Sequence, residues 1–163
     1  MMPMGLSEIL AASVGAFATG LFGILDRRGE RVRKRTALTS EIAAHAKFLT
    51  KLVRDQGYAE DANKIAEAAL SPNYDGTLLF VIPTHDYLHG LAAASHRAGE
   101  LNPSVAAQLI EFHHRCVLFV DTTHPSEEYL LKSSLEDKKS HAIETAKNIK
   151  LLLKLGEDLS QLP

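Results

Sequence analysis

Along most of this chain the apolar residues recur every three or four positions, the period of a helix with one buried face. In TALTSEIAAHAKFLTKLVRDQG the stripe is Leu38, Ile42, His45, Leu49, Leu52 and Val53, and Gly57 closes it. Ala59 to Leu70 is dense in helix formers, and SPNYDG (71–76) is a turn signal. TLLFVIP, Thr77 to Pro83, is the one strand-like run. With no second strand to pair with, it is expected as a buried extended segment or a helical turn. Thr84 is placed to cap a helix that runs through His96 and ends at Gly99. Asn102-Pro103 joins an N-cap side chain to the residue best suited to a first helical position. From there Val105, Leu109, Phe112, Cys116 and Phe119 form one stripe that ends near Asp121. Ser126, followed by Glu127 and Glu128, begins a last helix. It is expected to run unbroken through Leu130, Leu131, Leu135, Ile143, Ile149, Leu152 and Leu153 to about Gly156. The expected fold is all-α, a small antiparallel helical bundle over residues 36–163.

The N-terminus follows a different pattern. Ile9 to Leu25 is seventeen residues without a charge. Extended back to Leu6, the stretch gives about 20 residues, or roughly 30 Å of helix, the thickness of a hydrocarbon core. Gly15, Gly20 and Gly23 weaken a helix in water but are common in membrane helices. Ala12, Ala16 and Gly20 place a small residue at every fourth position, which lets two such helices pack closely in a bilayer. Residues 26–35, DRRGERVRKR, then hold six bases (Arg27, Arg28, Arg31, Arg33, Lys34, Arg35) against Asp26 and Glu30. The expected organisation is therefore a transmembrane anchor in 1–25 (span about 6–25), a basic juxtamembrane segment 26–35, and a helical domain 36–163. Only Gly29 interrupts the helical pattern between anchor and bundle.

Two other readings compete for the apolar run. A cleaved signal peptide finds a cleavage-like Ala16-Phe17-Ala18, but Glu8 is the only charge upstream where a basic region is required. A buried core helix is the other, since seventeen residues is the lower limit for spanning. The bases follow the run, as for a retained single-pass anchor. They set its direction, with the N-terminus outside and the remainder cytoplasmic. The anionic inner leaflet adds attraction for the six bases.

Composition narrows the chemistry. The 163 residues carry 18 bases and 20 acids, so outside 26–35 there remain 12 bases and 18 acids. That balance and a 6% aromatic content without Trp give no footing for nucleic acid. One cysteine excludes a disulfide framework and any zinc site with two thiolates. Cys116 lies on an apolar stripe, where a thiol is inert. The eight histidines are the compositional oddity. His85, His89 and His96, at i, i+4 and i+11, share one helix face, and the next helix is expected to bring His113 or His114 within reach. His85, His89 and His113 are thus a candidate zinc or iron site, the basis of an alternative reading as a metal-dependent enzyme. HDYLH imitates the metalloprotease HExxH with a shorter acid and no third ligand at a recognisable spacing. Against it stands the plainer reading of hydrogen-bonded or interfacial histidines. No catalytic constellation is otherwise found, and no cofactor is expected.

The span, the basic block, a long helix with Leu38 to Ile42, and a hairpin from Tyr87 to His113 turning at Leu101-Asn102-Pro103 resemble a loose group of small bacterial membrane proteins. This chain has His113 where an aromatic is often seen. The resemblance covers most of the chain and implies a membrane-anchored cytoplasmic helical domain, with no activity to carry over. The expected function is therefore a non-enzymatic localisation or interaction module at the inner membrane surface. Its expected partners are the lipid bilayer, another copy of itself or an unidentified protein. A membrane-permeabilising effector is a further alternative.

Overall fold

The computed structural model describes the backbone of residues 6–81 and 88–163, and the side chains of 26–81 and 88–163 except Glu127. Among the described residues there are six α-helices and no strand: α1 (Leu6–Asp55), α2 (Tyr58–Ala69), α3 (His89–His96), α4 (Pro103–Thr123), α5 (Glu127–Lys132) and α6 (Leu135–Ser160). The chain forms two compact units, Met1–Ala37 and Leu38–Pro163, with the boundary inside α1. Among the described residues no helix is long and apolar enough to cross a membrane. The expected span, about 6–25, falls where only the backbone is described, and it is helical from Leu6 on.

The second unit has one main core. Leu38 and Ile42 from α1, Leu91 from α3, Leu109 and Phe112 from α4, and Ile149, Leu152 and Leu159 from α6 are essentially without solvent exposure. These are positions three, four or seven apart on their helices, so each element contributes one face, as the periodicity predicts. Cys116 and Phe119 complete the α4 stripe, and Val105 at its start is half-buried. The helices α4 and α6 run antiparallel: Thr122 lies near His141, Arg115 near Asn148, and Phe112 near Gly156. Within the second unit, α1 meets the end of α6 where Thr50 lies against Gly156 and Arg54 pairs with Glu157, and Thr39 donates to the carbonyl of Pro163 beyond it.

Local chemistry explains the element ends. Gly57, at φ 70°, turns the chain between α1 and α2 in the left-handed region that only glycine enters without cost. Asn102 caps α4 by accepting from the Ser104 amide at 3.2 Å, with Pro103 first in the helix. Residues 77–81 are neither helix nor strand, with Leu78, Leu79 and Val81 buried. The Val81 amide donates to the carbonyl of Thr123 at 3.2 Å, so this strand-like run spends its hydrogen bond on the end of α4. The expected cap at Thr84 lies outside the described residues.

One expected element is corrected. The last helix is two helices, interrupted at Ser133 and Ser134, both of which are extended. Ser134 makes a capping box with Asp137: its hydroxyl accepts from the Asp137 amide at 3.1 Å, and its own amide donates to the Asp137 carboxylate at 3.0 Å. Restarting the helix at these serines supplies local hydrogen bonds that a continuous helix would forgo. As a result Leu131 is 86% exposed and Leu135 46%, so the stripe assigned to them breaks at the joint. The helix then continues past Gly156 to Ser160.

Candidate functional site

The first unit presents a basic face. Arg27, Arg28, Arg31, Arg33, Lys34 and Arg35 are all exposed on α1. At 100° per residue, Arg27, Arg28, Arg31, Lys34 and Arg35 fall within an arc of about 120°, with Arg33 outside it. Glu30 is bonded to Lys34 at 2.8 Å, and that hydrogen bond and charge hold its carboxyl below the ordinary value. Such a face suits an anionic surface, because several flexible cations address it from one side. Ala12, Ala16 and Gly20 lie in α1 at every fourth residue, but their side chains are outside the described set.

Of the expected set His85, His89 and His113, only His89 and His113 lie among the described residues. His85 lies outside the described residues, and His89 is exposed at the start of α3. His113, on α4, is partly buried; desolvation first, then the charges of His96 and His114, push its pKa down from 6.5. The residues acting on it are thus the far end of α3 and its own neighbour. Among the described residues no group of three His, Cys, Asp or Glu is arranged to hold a metal. His45 has a packing role: its ring lies against Gly90, where an added Cβ would overlap it. Cys116 is 3% exposed, and burial pushes its thiol up to about 12, so it is protonated at neutral pH.

A second feature has no counterpart in the sequence reading. The α5–α6 joint shapes an open groove of about 700 Å3, lined by Glu128, Tyr129, Lys132, Asp137, His141, Glu144 and three serines. The Tyr129 and His141 rings meet at 5.1 Å between centroids, tilted by 40°. His141 Nε2 lies 2.7 Å from the Thr122 carbonyl oxygen; a carbonyl only accepts, so Nε2 carries the proton. This contact satisfies one of the terminal carbonyls of α4 and fixes the imidazole as a wall of the groove. Asp137, His141 and Glu144 stand at i, i+4 and i+7, the one signal by which the sequence marks this face. The groove itself depends on the Ser133-Ser134 break, which helical periodicity does not reveal.

No family model, curated protein or solved structure matches the chain.

Proposed function

We propose that the chain is a localisation module: an N-terminal segment holds it at an anionic membrane surface, and the helical bundle makes protein contacts there. The observation that carries this reading is the basic face of α1, five cations on one exposed side directly after seventeen uncharged residues. Apolar transfer of 9–25 into lipid and headgroup attraction for 26–35 would act together, since either alone gives weaker attachment. In this reading the N-terminus faces outward and the bundle is cytoplasmic, following the position of the bases. The membrane acts here by concentration, confining the bundle to a thin layer and raising its encounter rate with partners in that layer.

Fractionation of cells expressing the full chain tests this. The protein is expected in the membrane fraction, resistant to alkaline carbonate and released by detergent. Recovery of the full-length chain in the supernatant without detergent overturns the reading.

A further inference from the structure

The α5–α6 groove is an unassigned surface with a distinct charge. Its lining holds three carboxylates, Glu128, Asp137 and Glu144, against one ammonium, Lys132, which is already bonded to Glu128 at 2.8 Å. An anionic headgroup or phosphate is repelled by such a wall; a cationic occupant is attracted. Asp137 and Glu144 are seven residues apart on α6, about 10.5 Å along the axis. Within this chain the densest cationic stretch is 26–35, with six of the 18 bases. It is helical, and Arg27 and Lys34, or Arg28 and Arg35, are also seven apart. Two helices side by side therefore bring these charges into register at one common pitch. The Tyr129 ring adds a face on which a guanidinium can stack.

We propose that this groove receives the arginine-rich stretch 26–35 of a second copy of the chain, helix against helix, so that the module pairs with itself. This deepens the protein-contact half of the function proposed above by naming the partner; a stretch seated in the groove is not at the headgroups, so pairing and headgroup contact alternate at 26–35 while the apolar run keeps the chain at the membrane. The present bonds of the groove carboxylates do not stand in the way. Glu128–Lys132 and Glu144–Lys147 are exposed pairs within α5 and α6, the class that contributes little and exchanges readily. Arginine from the partner offers a planar fork that meets a carboxylate with two hydrogen bonds, which lysine within the same helix does not. Asp137 keeps its capping role and contributes its charge to the field of the groove.

The test is the mass of the full chain in a non-ionic detergent, by sedimentation over a range of concentrations. The wild type is expected to dimerise, and the dimer to weaken as salt rises. Arg27→Glu with Arg31→Glu should weaken it at least about tenfold, and so should Glu128→Lys with Glu144→Lys. Combining the four reversals should restore it, because the attraction is re-formed with its signs exchanged. A labelled peptide of residues 26–35 should bind the wild type and lose that binding on Glu128→Lys with Glu144→Lys. A wild type that stays monomeric, a dimer indifferent to both reversals and to roughly 1 M salt, or a combined variant without rescue each overturns the proposal. Mass in detergent is read independently of membrane attachment, so failure here leaves the fractionation result to be judged separately.

Discussion

Gly156 shows how a single missing methyl organises the bundle. It is buried near the end of α6, and a Cβ there would overlap Thr50 Cγ2 and come within 2.9 Å of the Phe112 ring. Three helices therefore approach one another at a point where only glycine fits. Gly156→Ala is expected to lower the unfolding free energy by about 1–3 kcal/mol, the range for overpacking, despite alanine's higher helix propensity. Chemical denaturation of the two chains checks this; an unchanged or raised midpoint contradicts the close approach. The opposite expectation holds for Thr145, which is 2% exposed and whose hydroxyl finds no hydrogen-bond partner among the described residues. Thr145→Val keeps the shape and removes an unsatisfied polar atom, so stability should rise by about 1 kcal/mol. His113 ties α4, and the end of α3 beside it, to pH. Its folded pKa lies below 6.5, so its contribution to stability is fully present above about pH 6.5. That contribution falls as the unfolded chain takes up the proton, until pH reaches the folded value. Denaturation midpoints between pH 7.5 and 5 should therefore decline, and His113→Gln should flatten the slope.

At the scale of elements, the α5–α6 joint is the feature on which the groove depends. Ser134 holds the start of α6 through its reciprocal bonds with Asp137, whose carboxyl these bonds keep below the ordinary value. Ser134→Ala is expected to cost about 1 kcal/mol in stability, the usual loss for a removed N-cap, and to fray the first turn of α6 in hydrogen exchange. The fold was largely legible where local chemistry and periodicity agree. Asn102-Pro103 starts α4 as its side chains demand, and Leu109, Phe112, Cys116 and Phe119 are buried on one face as their spacing requires. The joint was not legible, because a serine pair reads equally as helix surface and as a new start, and tertiary packing chooses between them. Gly156 misled for a related reason: it resembles a helix end in sequence, yet its role is to admit Thr50 and Phe112 from other helices. The histidine spacing on α3 likewise carries no information about which residue of α4 lies opposite.

For the whole molecule, the small net charge conceals a division of sign. The first unit, residues 1–37, holds six bases against Glu8, Asp26 and Glu30, which leaves 12 bases and 17 acids for the second unit. An anionic lipid surface therefore attracts the first unit and repels the second, and it is the first that carries the uncharged run. For the membrane attachment proposed above, ionic strength would separate the two contributions, because screening at roughly 1 M salt shortens electrostatic reach to about 3 Å while leaving apolar transfer intact. With Arg27, Arg28 and Arg31 changed to Gln, binding to vesicles containing phosphatidylserine is expected to weaken by about a hundredfold at low salt. Binding to uncharged phosphatidylcholine vesicles should not change, and at high salt the variant and wild type should become equal on both. Vesicle flotation across a salt series reads all of these. A variant that floats like the wild type on anionic vesicles at low salt would mean the basic face does not address the lipid at all. A wild type released completely by salt would mean that the headgroups hold it without help from the apolar run.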